Sequence, residues 1–412
     1  MLQDYTGVFF LVLLSYAIAF ISPALRNDRK QLVAFLFIIT SLHLVSFFNY
    51  FIFTLPGAER DASTFNRHVI KAINQEHVLD FSIGTGIYQY ILYVSYSLLG
   101  ATKLVGQSLS IVVAAISLSV MLKITNHFHV QERLKPVLII IIGLTPSFLL
   151  YTSLTLREVY QLLGMVTGVY FALVAFEDQS PMKIIVSSCF FIFMGMFHHV
   201  LLALSFVLIF TTWVFYFLKT GATKFVLLKN LVISSLVILV IGYLVVVNAP
   251  TVGGDDYLKK LESSGGVVHL IGVYREVIEK DQPRSSYGFK VNTETTADLG
   301  AGLMRSYVYY LLGPSVISID KPIDIVPAIN ALGRLIVLVF LVILIFKKVP
   351  MPSSILYLMI VYFFVTFLWS IGTTNFGQAF RHNSLTDWIL ALVFIIGVQA
   401  SLRTRNQPTT QT

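Results

Sequence analysis

One cysteine stands in 412 residues. With no second thiol, Cys189 cannot close an intrachain disulfide, and the redox state of its compartment leaves no trace in the chain. Charge is nearly as scarce. Asp, Glu, Lys and Arg together make up 12% of the residues against 56% apolar, and the mean hydropathy is +0.79. A soluble globular domain carries about twice that share of charge, so the composition excludes one and requires a polytopic membrane protein. The chain also lacks a glycine-rich nucleotide loop, a zinc-type ligand spacing, an internal repeat and a coiled coil, and no cofactor or metal is expected. Its first apolar stretch opens with MLQDY and has no basic lead, so it is not expected to be a cleaved signal.

What is present is apolar length. Runs long enough to span fall at about 5 to 22, 31 to 55, 105 to 124, 137 to 154, 159 to 176, 184 to 198, 200 to 218, 227 to 248, 327 to 346, 353 to 371 and 385 to 402. The expected fold is therefore an all-α polytopic membrane protein of about 11 transmembrane helices. Its modules are residues 1–248, a large loop with a juxtamembrane helix at 249–326, and 327–412.

The net charge of +8 does not read as nucleic-acid binding, because the basic residues come in short groups between spans. Alternate connections hold Arg26, Arg29, Lys30, Lys123, Arg133, Lys135, Lys183, Lys219, Lys224, Lys229, Lys347, Lys348, Arg403 and Arg405, against only Asp28, Glu132, Glu177 and Asp178. The positive-inside rule puts these connections in the cytoplasm, with the N-terminus outside and the C-terminus inside. That parity holds only if the apolar stretch 83 to 100 does not cross. Tyr88, Tyr90, Tyr93 and Tyr96 suit an interfacial depth for it, each ring buried and each hydroxyl wet. The first outer loop then runs from about 56 to 104 as two surface helices, and a second large outer loop occupies 249 to 306.

Ionisable groups at membrane boundaries are costly without a partner or polar cavity, so they mark candidate sites. In the first outer loop, Asp61 is either a helix cap or a catalytic base, with Arg60 and Arg67 supplying positive charge. Arg157 and Glu158 open a later span, and the planar fork of an arginine matches phosphate oxygens. His198 and His199 close the next span; each is either satisfied locally or serves as a base or donor to substrate. Arg381 and His382 follow Asn375 and Gln378 in the last outer turn as a second candidate clamp, to which Arg305 and Arg334 are possible additions.

Asp61 with Phe65, Arg157 opening a span, and the run Phe197, His198, Leu201, Leu202, Ala203, Leu204 resemble the EpsG-like branch of Wzy-type polysaccharide polymerases. That family shows G-T-D where this chain has A-E-R-D, and Arg-Gln where it has Arg-Glu. The layout is also similar to the wider GT-C glycosyltransferases, with Glu158 matching their second acid. The resemblance implies a GT-C-like membrane enzyme with juxtamembrane helices on the outer face of the cytoplasmic membrane. It would polymerise polyprenyl-pyrophosphate-linked oligosaccharides, with a chain-length regulator as a partner. Arg157 and Arg381 would hold the departing pyrophosphate, and Asp61, Glu158 or His198 would accept the proton. Tyr88, Tyr90, Tyr93 and Tyr96 would line sugar or lipid, and the loop 249 to 306 would cover the site. The alternatives are a GT-C transferase using a polyprenyl-monophosphate sugar, and a flippase for the same lipids.

Overall fold

The computed structural model describes residues 2–55, 58–220, 275, 285–292, 295–315, 319 and 322–406. Within a bilayer every backbone N–H and C=O must be satisfied internally, and the apolar runs do so as helices. They are α1 (Leu2–Ile21), α2 (Pro23–Arg26), α3 (Arg29–Phe51), α4 (Ser63–Ile73), α5 (Thr85–Leu99), α6 (Lys103–His127), α7 (Lys135–Leu144), α8 (Pro146–Tyr151), α9 (Glu158–Asp178), α10 (Pro181–Gly195), α11 (His199–Thr220), α12 (Thr296–Leu312), α13 (Ile325–Phe346), α14 (Ser354–Gly372), α15 (Phe376–Asn383) and α16 (Asp387–Asn406).

Seven of these, α3, α6, α9, α11, α13, α14 and α16, are long and apolar enough to cross a membrane, and Tyr5–Ile21 and Pro181–Gly195 are shorter apolar helices. The described residues are thus all-helical, and the chain is a multi-pass membrane protein. The expected span at 137 to 154 is interrupted. Pro146 has no N–H to continue α7, and it opens α8 as a first-turn proline. The expected span at 227 to 248 lies outside the described residues, as does most of the loop 249 to 306.

Local signals set the other boundaries. Asp28 caps α3 by accepting from the N–H groups of Lys30 and Gln31, and Thr102 caps α6 by accepting from Val105. Gln179, left-handed at φ 50°, ends α9, and Pro181 starts α10 one residue later. Gly164 of α9 lets α10 approach until an added Cβ would lie 2.9 Å from the Met194 nitrogen, a small-residue contact of the kind that replaces hydrophobic drive inside a membrane. In α6 and α9, 78% of the most apolar window is buried, against 28% in α13. Hence α6 and α9 form the centre of the bundle, and α13 faces outward to lipid.

Contacts sort the connections into two ends. At one end Gln31 Nε2 donates to Glu132 Oε2 (2.6 Å), His127 Nδ1 meets Glu177 Oε2 (3.0 Å), Lys219 Nζ donates to Ser354 Oγ (3.2 Å), and the Gln131 N–H donates to Gln399 Oε1 (2.7 Å). At the other, α5 lies across the bundle rather than through it. The Gly84 N–H before α5 donates to the Met196 carbonyl between α10 and α11 (2.8 Å). Its last residue, Leu99, presses so closely on Gly7 of α1 that a Cβ there would sit 1.8 Å from the Leu99 oxygen. Both ends of α5 are held at one end of the bundle.

The tyrosines of α5 differ from expectation. Tyr88 and Tyr96 are fully buried, not interfacial, and Tyr96 donates its hydroxyl to Asn66 Oδ1 of α4 (2.8 Å). Tyr90 and Tyr93 are half-buried. The reason is periodicity: positions 88, 92 and 96 form the inward stripe of a helix wedged between α4 and α6, and tyrosine spacing alone does not say which stripe faces in.

Candidate functional site

Three segments far apart in sequence meet where α9 begins. Arg381, near the end of α15, donates from Nε (2.7 Å) and Nη2 (2.5 Å) to Glu158 Oε1, and from Nη1 to Asp61 Oδ2. One guanidinium thus bridges two carboxylates in the planar geometry that suits it. Asp61 does not cap α4: it lies within a single π-helical turn, Ala58–Ala62, that runs into α4, whose N-cap is Ala62. Glu158 is buried, and the Asp61 side chain is 46% exposed, so the cluster reaches from the bundle core to the surface. Burial works against the charge of Arg381. The Glu158 and Asp61 carboxylates outweigh it and raise the guanidinium pKa above its usual value.

Arg157 is the second cation and is deployed differently. It occupies the N-cap position of α9, and no carboxylate of the described residues forms a salt bridge with it. Its Nη1 lies beside Gly84, where an added Cβ would come within 3.9 Å of it and within 3.5 Å of His199 Nε2. Gly84 has φ 97°, a conformation that L side chains rarely adopt, so the sequence IGTG delivers a bare backbone edge to Arg157 and His199.

The two other histidines flank Trp369 at the end of α14. His382 stacks on the indole at 3.7 Å with an interplanar angle of 8°, and His198 meets it edge-on at 4.8 Å. Burial, followed by the nearby Arg157 cation, pulls the His198 pKa well below 6.5; burial, Arg381, His198 and Arg157 do the same to His382. His198 Nδ1 accepts the Val200 N–H (3.2 Å), so in the neutral ring the proton sits on Nε2. His198 therefore presents a donor to the cluster.

Behind this cluster Tyr88, Tyr160 and Phe197 form a wall of rings 5.4 to 5.6 Å apart, with Phe65 of α4 edge-on to Tyr88 at 5.1 Å. Several polar atoms here are buried without a hydrogen-bond partner among the described residues: Arg157 Nε, Glu158 Oε2, Tyr160 OH, Gln161 Nε2 and His382 Nδ1. Buried polar groups are nearly always satisfied, so this concentration makes the cluster a candidate site for a polar ligand.

Asp61, Arg157, Glu158, His198, His199, Arg381 and His382 are thus brought together. Other candidates are not. Arg67 is exposed on α4, and Arg60 lies in the neighbouring turn with its side chain outside the described set. Arg305 is exposed on α12, its guanidinium 4.3 Å above the Phe289 ring and 5.7 Å from that of Tyr309, a cation–π contact and not part of the clamp. Arg334 is buried inside the bundle beside Asp387. Sequence reasoning missed Trp369, Gly84 and Gln161; of these only Gly84, in a Gly-Thr-Gly turn before a helix, left a readable signal. Among the described residues, no three His, Cys, Asp or Glu side chains are grouped to hold a metal ion. Set beside known protein families, curated proteins and solved structures, the chain finds no match among any of them.

Proposed function

We propose that the chain is a GT-C-like membrane glycosyltransferase that polymerises polyprenyl-pyrophosphate-linked oligosaccharides at the outer face of the cytoplasmic membrane. The observation that carries this reading is the pairing of two carboxylates on Arg381 with a separate, uncommitted Arg157 in one largely buried cluster. A transfer reaction needs both functions: a carboxylate for the proton of the attacking hydroxyl, and a cation for the charge that develops on the leaving group.

In the step, an acceptor sugar hydroxyl attacks the anomeric carbon of the donor chain. The new C–O bond forms as the bond to the pyrophosphate oxygen breaks, the proton passes to Glu158 or Asp61, and the electron pair leaves on the lipid pyrophosphate. Arg157 and His199 receive that diphosphate, and Gly84, having no side chain, leaves room for it beside them. The His198 Nε2–H and the orphan atoms of Gln161 and Tyr160 hold sugar hydroxyls. Arg381 orients both carboxylates; with both of its edges engaged, it is less suited to phosphate than Arg157. The basic connections lie at the opposite end of the bundle, so the positive-inside rule supports an extracytoplasmic site.

The test is transfer in proteoliposomes from a polyprenyl-pyrophosphate-linked oligosaccharide, read as a ladder of extended products. The expected result is a ladder that is lost in Arg157→Ala and Glu158→Gln. Transfer from a polyprenyl-monophosphate sugar alone would replace the polymerase with a single-sugar transferase. No transfer from either donor, with lipid-linked saccharide moved across the vesicle instead, would make the protein a flippase.

A further inference from the structure

A second ion pair lies in the C-terminal half of the bundle. Arg334 is the tenth residue of α13, about 13 Å along the helix axis from its start, and is 4% exposed. Its Nη1 stands 3.5 Å from Asp387 Oδ1 at the first residue of α16, and its Nε donates to the Leu311 carbonyl of α12 (2.8 Å). Asp387 Oδ2 accepts from Asn330 Nδ2 of α13 (2.9 Å) and from Ser147 Oγ of α8 (2.9 Å). One carboxylate therefore ties the start of α16 to two other elements, and Arg334 adds a third.

The same corner carries Arg381, six residues before Asp387. The intervening chain has no slack. Ser384 Oγ donates to the Arg381 carbonyl (2.6 Å), the Leu385 N–H to His382 (3.3 Å), the Thr386 N–H to Asn383 (2.9 Å), and Asn383 Nδ2 to the Tyr310 carbonyl of α12 (3.3 Å). Where Asp387 sits thus decides where α15 ends. Arg381 must meet carboxylates on two other elements at once, and a shift of about 1 Å breaks one contact or the other.

The geometry points to Arg334 and Asp387 as positioning residues: their buried pair sets the α15–α16 corner and so holds Arg381 between Asp61 and Glu158. Stability is a poor reason for such a pair, since two desolvated charges seldom repay their loss of water, and a well-packed apolar replacement is often as stable. Nη1 and Oδ1 also fall short of a hydrogen bond to each other, so bond strength does not account for the pair. Placement does. Two helices, α8 and α13, converge on Asp387, Arg334 links the pair to α12, and the residue they locate is Arg381.

The experiment compares Arg334→Met/Asp387→Leu with the parent chain, and uses Asp387→Asn as a milder variant that keeps an oxygen for Asn330 and Ser147. With Cys189→Ser as background, spin labels at Lys71→Cys on α4 and Gly377→Cys on α15 report the distance across the cluster; at Gly377 an added Cβ meets nothing closer than 3.5 Å. The expected result is a single narrow distance in the parent, broadened or displaced in both variants. The melting temperature of Asp387→Asn, which still accepts from Asn330 and Ser147, should stay within a few degrees of the parent, whereas the double variant also orphans those two buried donors and the Leu311 carbonyl and should melt lower. Because the activity arm rests on the transfer reaction proposed above, turnover is measured separately. A misplacement of about 1 Å should lower it about a hundredfold. An unchanged distance distribution with turnover within threefold of the parent overturns the positioning role. If the parent itself transfers no sugar, the proposed reaction fails while the distance measurement still decides this inference.

Discussion

The two ends of the bundle handle scarce polar groups in opposite ways. At the end opposite the site, Lys135 Nζ donates to both Glu132 Oε1 (2.5 Å) and Asn126 Oδ1 (2.8 Å), Glu132 Oε2 takes Gln31, and Gln399 joins the Gln131 N–H to the His129 carbonyl. Apart from His127 Nδ1, which stands 3.0 Å from Glu177 Oε2 without an aligned hydrogen bond, these donors meet acceptors within the protein, as a structural seal requires. At the site end, Arg381 is satisfied, yet Arg157, Glu158, Tyr160, Gln161 and His382 each keep a buried atom without a partner among the described residues. The first end is finished by folding. On the proposed function the second is completed by a ligand, and mutations should separate stability from activity accordingly.

The largest effect is expected at Arg381. Arg381→Ala leaves the Glu158 and Asp61 carboxylates together without their shared cation, one of them buried, and breaking such a pair costs about 3 to 5 kcal/mol. Thermal melts in detergent should show this, with turnover abolished. Arg157→Ala should divide the two readouts. It removes no carboxylate's salt-bridge partner among the described residues, so the melt should move little while turnover falls at least about a hundredfold, the scale of removing one transition-state contact. If Arg157→Ala unfolds the protein as Arg381→Ala does, the division of labour between the two arginines is wrong.

Which residues were candidates was readable in the sequence because charge is rare; which of them meet was not. Arg381 lies 223 positions from Glu158 and 320 from Asp61, and no local pattern encodes such a contact. Depth was equally hidden. Arg334 looked like a residue free to join the clamp, and Arg305 like a phosphate ligand, because an arginine near the end of an apolar run gives no sign of which helix face carries it. The break at Pro146 was written as Thr-Pro, but the surrounding apolar residues made one continuous span the simpler expectation.

A pH series sharpens the contrast between the ends. The His198 and His382 rings have pKa values held well below 6.5 by burial first and by neighbouring arginines second, so both are neutral in the folded protein at pH 7. In the unfolded chain they titrate near 6.5, and the unfolded state therefore gains protons first as pH falls. Stability present at pH 7 should decline below about pH 6.5, by at most about 1.4 kcal/mol per pH unit for each ring. Melting curves between pH 7.5 and 5 check this. His382→Gln should flatten the slope, and an unchanged slope would remove His382 from the site's electrostatics.

The smallest effect belongs to the sealed end. Glu132→Gln keeps one acceptor oxygen for Lys135, and Gln31 can turn its amide to accept from the new NH2, but the change removes the charge from a pair whose acidic side chain is 64% exposed. Water and salt already screen that pair, so the loss should be under about 1 kcal/mol, and smaller still at high salt. Turnover should not change, because nothing at that end touches the ligand cluster. A Glu132→Gln protein with an intact melt and impaired transfer would show that the sealed end takes part in the working cycle, for instance by rocking α3 and α7 against the core helices. The comparison of a finished end with a receptive one would then fail.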